Sequence, residues 1–191
     1  MWCDRARQAP CSRTNATYGM RFFTGLNCRA KATPPVSKPS MPDSPPNDFQ
    51  RHLLTEPASI HAALARLNTI AVLGIKPAET DAPAFYVPEY AQRAGYRIVP
   101  VPVYYPEMVT ELGETAYRSL RDIPFPVDAV NIFRRPADIP QHLDDILAVH
   151  PKLVWMQLGI RHDEVAVTLA KAGIDVVQDR CLLVELRKMG R

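Results

Sequence analysis

From about residue 57 the apolar positions fall into two patterns, short continuous runs and stretches with helical spacing, which alternate to the end of the chain. The run Thr69 to Lys76 reads T-I-A-V-L-G-I-K, four apolar residues closed by a glycine. Such a run marks a strand buried on both faces, because a parallel sheet covered by helices has no wet side to alternate towards. Tyr96 to Val101, Val127 to Phe133, Leu153 to Leu158 and Ile174 to Gln178 read the same way. Between them, helical spacing places Ile60, Ala63, Leu64 and Leu67 on one side of Ser59 to Leu67. Phe85, Tyr86, Tyr90 and Ala91 do the same within Pro83 to Ala94, which Gly95 stops. Pro88 fits a first helical turn and not an interior, so regular helix is expected to begin only near Val87. Asp138 to Val149 predicts a further helix with Ile139, Leu143, Ile146 and Leu147 inward. Asp163 is expected to cap another that runs to Ala172 and stops at Gly173, and a last helix starts from Cys181. Pro102 to Asp122 is read as an irregular connection with at most a short helix at Tyr117 to Arg121. This alternation predicts the α/β class: a single, doubly wound, parallel five-stranded sheet of Rossmann-like type with right-handed crossovers. Ligands approach such a sheet at the carboxyl ends of its strands, which puts Gly74 and the turn after it at the expected site.

Met1 to Gln50 has no apolar periodicity and ends among Pro34, Pro35, Pro39, Pro42, Pro45 and Pro46. It is expected to be a disordered leader, with the folded domain at 51–191. Its Arg-rich, acid-poor make-up fits a transit segment, while Met20 and Met41 offer later translation starts. Charge follows the same division: residues 1 to 42 hold seven Lys and Arg against Asp4 alone, and the rest holds sixteen against nineteen acidic residues. The basic balance is thus a property of the leader, and nucleic acid is not an expected partner of the domain. Cys3, Cys11 and Cys28 lie in the leader at no zinc spacing and Cys181 stands alone, which argues against a disulfide framework. No stretch reaches the apolar length that crosses a bilayer, and the expected location is cytoplasmic.

Basic residues supply the first functional signal. Lys76 follows the first predicted strand, Arg134 and Arg135 the third, Arg161 the fourth and Arg180 the fifth. If the strands are parallel, these cations gather on one edge, where helix N-termini also favour anions, and a phosphorylated small-molecule nucleotide is the expected ligand. The competing reading is plain solvated loop arginine, or pairing of Arg134 and Arg135 with Asp138 or Asp163. A dinucleotide site of the NAD kind wants G-x-G-x-x-G after the first strand and an acidic residue closing the second. The loop here is G-I-K-P-A-E and the second strand ends I-V-P-V-P, without either feature.

The runs V-L-G-I-K, P-A-F-Y-V-P-E-Y, G-Y-R-I-V-P-V, N-I-F-R-R-P, V-W-M-Q-L-G-I and V-V-Q-D-R-C together resemble the small bacterial CoA-binding proteins. These are stand-alone Rossmann-like domains similar to the CoA-binding domain of the succinyl-CoA synthetase alpha subunit. The resemblance covers about Ile60 to Lys188, and it implies binding of coenzyme A or an acyl-CoA at the carboxyl edge of the sheet. It implies that Gly74, Ile75 and Lys76 form the phosphate-approaching turn and that Val101 and Pro102 flank the adenine. It further implies that Phe133, Arg134, Arg135 and Pro136 form the lip of the third strand and that Gln157 and Gly159 line the crevice from the fourth. Many members carry a serine after the first glycine and Arg-Pro-Ser at the head of the first helix. Ile75 and Ala82-Pro83-Ala84 stand there instead, which leaves Lys76 and backbone N–H groups to substitute.

Gly74 and Gly159 also read as simple turn residues, and Trp155 and Met156 as core. Cys181 is the one nucleophile expected near the crevice, at a helix start beside Arg180 where a thiol would ionise more easily, although burial as a structural cysteine is the stronger reading. Two further readings stay open: an enzyme using Cys181 for thiol or acyl chemistry on bound CoA, and an NAD-type redox module.

Overall fold

The apolar runs form strands because both of their faces are covered, and the order of the strands decides where a ligand can enter. The structure, a computed structural model, describes residues 48–191, so the expected disorder of the leader lies outside the described residues. The strands are β1 (Thr69–Leu73), β2 (Arg97–Val101), β3 (Thr110–Glu111), β4 (Glu114–Thr115), β5 (Ala129–Ile132), β6 (Leu153–Met156) and β7 (Asp175–Val177). The helices are α1 (Pro57–Leu64), α2 (Pro83–Arg93), α3 (Leu143–Val149), α4 (Asp163–Lys171) and α5 (Leu182–Lys188). Five strands form a parallel sheet in the order β2-β1-β5-β6-β7, while β3 and β4 make a separate antiparallel hairpin. Successive side chains of β1 serve opposite cores. Ile70 and Val72 join Ile60, Leu64, Val87, Ala91 and Leu186 from α1, α2 and α5, and Ala71 and Leu73 join Ile146, Val165 and Leu169 from α3 and α4. The order reverses between β1 and β5, the switch point at which doubly wound sheets open a crevice.

Both outer strands are covered. Pro100 is accommodated in β2 because its carbonyl faces outward, where it accepts from Tyr117 N–H at 2.9 Å, so its missing N–H falls on the same outer side. At the other border Leu54 N–H donates to Val176 O at 2.8 Å. The segment that provides it begins with a 3-10 turn, Asp48–His52, somewhat before the boundary that composition suggests. It is held by His52 Nδ1 at 2.8 Å from Asp175 Oδ1. At the amino edge Asp128 accepts from the N–H groups of Asn68 (2.9 Å) and Thr69 (3.0 Å) and pairs with Lys152 at 2.7 Å. Burial alone would raise its pKa, but these partners, Lys152 foremost, hold it below the ordinary carboxylate range.

Four local expectations need correction. α2 begins at Pro83 and runs through Pro88 rather than starting near Val87. Pro88 has no N–H for the Ala84 carbonyl, and that carbonyl accepts instead from Lys76 N–H at 3.4 Å in the turn after β1. The irregular connection contains the β3–β4 hairpin, whose two turn residues, Leu112 and Gly113, have φ of 54° and 76°, the pair of positive angles a two-residue turn uses. The helix expected from Asp138 breaks at Pro136 and Pro140 into two 3-10 turns, Pro136–Asp138 and Pro140–His142, before α3. His162, not Asp163, caps α4, its Nδ1 accepting from Val165 N–H at 3.4 Å.

Candidate functional site

Because the five strands are parallel, the loops carrying Lys76, Arg134, Arg135, Arg161 and Arg180 share the carboxyl edge. They divide there between two clefts. One, of about 380 Å³, lies at the switch point and is lined by Lys76, Phe133, Arg134, Arg135 and Pro136 together with Pro83, Ala84 and Ile160. The other, of about 540 Å³, lies by β7 and includes Arg161 and Arg180 with Asp163 and Asp179. Its arginines are engaged: Arg161 Nε is 2.9 Å from Asp163, and Arg180 Nη2 donates to Thr55 O at 2.9 Å.

The first cleft is shaped by Gly74. Its φ is 90°, its N–H donates to Val101 O at 2.9 Å, and a Cβ there would stand 2.6 Å from Phe133 O. The glycine therefore lets the β5 loop close against the β1 turn, which brings Phe133 and Arg134 to the crevice. Arg134 is 5% exposed. Its Nη2 donates to Asp138 Oδ2 at 3.2 Å, the Tyr104 ring lies 4.6 Å from its Cζ, and its Nε is a buried donor without a partner. Arg135, on the surface, grips the same carboxylate with Nε at 2.9 Å and Nη2 at 3.2 Å. That grip, reinforced by Arg134, holds the Asp138 carboxyl below its ordinary pKa. Nearby, burial and the Arg134 charge lower the pKa of His142.

The other expected residues lie elsewhere. Ile75 and Val101 are buried core residues, and Pro102 is buried beside Val101. Gln157 is 4% exposed and links two elements from below, with Nε2 donating to Asn131 Oδ1 at 2.9 Å and Oε1 accepting from Leu182 N–H at 3.3 Å. Gly159, at φ 77°, donates its N–H to Asp179 Oδ1 at 2.6 Å. Cys181 is half-buried at the start of α5 and packs against the core. Among the described residues no three His, Cys, Asp or Glu side chains gather as a metal site, and no helix is long and apolar enough to cross a membrane. Asp138, the expected alternative partner of the two arginines, and Tyr104, which no motif singled out, act on the cleft through Arg134 and Arg135. Asn131 had a legible signal, as a polar residue inside the apolar run V-N-I-F.

The N–H groups of Gly74 and Lys76 are both bonded within the fold, so these two offer an anion no amide, and Lys76 meets it through its side chain. The family described as CoA binding domain matches residues 68–187, which run from the start of β1 to the end of α5. The chain belongs to the CoA-binding domain family. Membership supports binding of coenzyme A in general terms. A relative from Bacillus subtilis (strain 168), YneT, is 34% identical over 127 residues, 66% of this chain and 91% of its own length. The solved structure of cell-free ID.343 from Thermus thermophilus is 44% identical, with a TM-score of 0.65 over 71% of this chain and 99% of that one. A hypothetical protein from Pyrococcus horikoshii OT3 is 27% identical, with a TM-score of 0.64 over 79% of this chain and 100% of its own. In this CoA-binding domain the family match excludes α1 and the segment before it, so the cover over the β7 border lies outside the matched part.

Proposed function

We propose that the chain binds coenzyme A or an acyl-CoA across the carboxyl edge of the sheet, with its phosphates at the rim of the switch-point cleft. The observation that carries this reading is the gathering of Lys76, Arg134 and Arg135 on one cleft between β1 and β5. Three cations share one carboxylate, Asp138, within hydrogen-bond reach of two of them, so the group keeps a net positive charge. The adenine would lie towards the end of β2, by Val101 and Pro102, where no carboxylate follows the strand to hold free ribose hydroxyls or to repel a ribose phosphate. Lys76 and Arg135 stand exposed at the rim and would meet the phosphates.

Titration calorimetry with CoA, dephospho-CoA, NAD and ATP tests the reading. CoA is expected to bind most tightly, dephospho-CoA less so, and NAD least. Absence of CoA binding, or equal affinity for CoA and NAD, would overturn it.

A further inference from the structure

Arg134 differs from the exposed cations beside it. It is 5% exposed, one of its nitrogens is committed to Asp138, and its Nε–H has no acceptor. Native folds rarely leave a buried donor unpaired without a use for it. The surroundings decide which acceptor suits it. Pro83, Ala84, Phe133, Pro136 and Ile160 give this cleft largely apolar walls, and the Arg134 charge is already met by Asp138. Against those apolar walls a phosphate would lose water and gain from Arg134 only its Nε–H, Lys76 and Arg135 being exposed at the rim, whereas a neutral carbonyl oxygen needs only that one donor. The arm of CoA between diphosphate and thiol is uncharged, mostly methylene and methyl groups, with two amide carbonyls, and an acyl-CoA adds a thioester carbonyl. A volume of about 380 Å³ is within the usual range of small-molecule clefts.

We propose that the switch-point cleft takes the uncharged pantetheine arm of CoA, and that Arg134 donates its Nε–H to a carbonyl oxygen of that arm while Lys76 and Arg135 hold the phosphates at the rim. This rests on the CoA reading above. The Tyr104 ring over the guanidinium is itself 62% exposed and holds Arg134 through a cation–π contact.

The test compares CoA with 3′-phosphoadenosine 5′-diphosphate, which carries every phosphate of CoA but no arm. In the wild-type protein the Arg134 Nε–H resonance, identified by its absence in Arg134→Lys, is expected to move with CoA and to stay in place with the diphosphate. Arg134→Met is expected to weaken CoA about tenfold or more, as the loss of a charged hydrogen bond does, and to leave the diphosphate unchanged. Lys76→Ala is expected to weaken both. An equal shift with the two ligands, or equal weakening of both by Arg134→Met, would make Arg134 a phosphate ligand and overturn the inference. If the wild type binds neither compound, the CoA reading itself falls, which is a different result from a misplaced Arg134. Should Arg134→Met fail to fold, the wild-type resonance still decides.

Discussion

Two glycines that look alike in the sequence have different reasons to be glycine. Gly74 and Gly159 both have positive φ, but a Cβ at Gly74 meets Phe133 O at 2.6 Å while one at Gly159 meets nothing within 4 Å. Gly159→Ala should therefore cost only the left-handed strain, about 1 kcal/mol. Gly74→Ala should cost roughly 3 kcal/mol, because a backbone atom must move as well. Urea unfolding of the two variants checks the order. Glu185 makes a second prediction at this scale. It is 3% exposed and bonded to Lys188 at 2.9 Å and His61 at 3.0 Å. Burial alone would raise its pKa, but those two bonds, with Arg180 adding, hold it below the ordinary value. A depressed folded pKa gives stability that is present above the unfolded value, about 4.3, and is lost as pH falls through the folded one. Glu185→Gln should remove that acid-side dependence, and Glu185→Ala should cost about 1 kcal/mol at neutral pH, because Lys188 and Arg180 are exposed enough for water to replace the carboxylate; pH-dependent denaturation measures both. The apolar and glycine pattern made the first pair legible. Nothing local announced Glu185, whose partners His61 and Arg180 come from other elements.

At the scale of elements, the period of the pattern was enough for the strands and for most helices, and what escaped was chemistry between elements. Pro88 is the clearest instance. Taken by itself a proline argues against a helix interior, yet the carbonyl it frees is satisfied by Lys76 N–H from another loop, so the helix continues. Pro88→Ala should restore the Ala84 bond within α2 and release the turn. Amide exchange at Lys76 is expected to quicken at least about tenfold while the helix signal stays or rises. The β3–β4 hairpin escaped for a related reason, since Leu-Gly stands in a turn that usually shows Asn-Gly or Asp-Gly. The site follows the same rule. The cations after the strands were visible in order, and the pairing of Arg134 and Arg135 with Asp138 was one of the two readings the sequence left open; the stacking of Tyr104 on Arg134 depends on loop paths that no periodicity records.

At the scale of the whole molecule, both border strands of the five-stranded sheet are covered by described residues. β2 is closed by Tyr117 and β7 by Leu54, and an uncovered strand is the usual route to pairing between copies. Leu54→Pro removes the donor to Val176 O, so it should lower stability by about 1 kcal/mol and promote soluble aggregates on warming. Light scattering behind a sizing column would show them, and a strictly monomeric variant would count against this protective role. The amino edge pairs its charges, Asp128 with Lys152, Arg97 with Glu114 and Arg66 with Asp175, while the opposite edge gathers Lys76, Arg134 and Arg135 on one cleft, a cluster the sequence showed as cations following the strands.

Interleaving carboxylates with those arginines has a kinetic meaning. Asp138 beside Arg134 and Arg135, and Asp163 beside Arg161, offset part of that rim's positive charge and leave a modest excess. A polyanion would be steered to it weakly and feel the full set of positive groups only after arriving. Raising the ionic strength in stopped-flow measurements should then slow the arrival of CoA only slightly and shorten its residence time more, so that this protein selects by how long it retains a ligand more than by how fast it captures one.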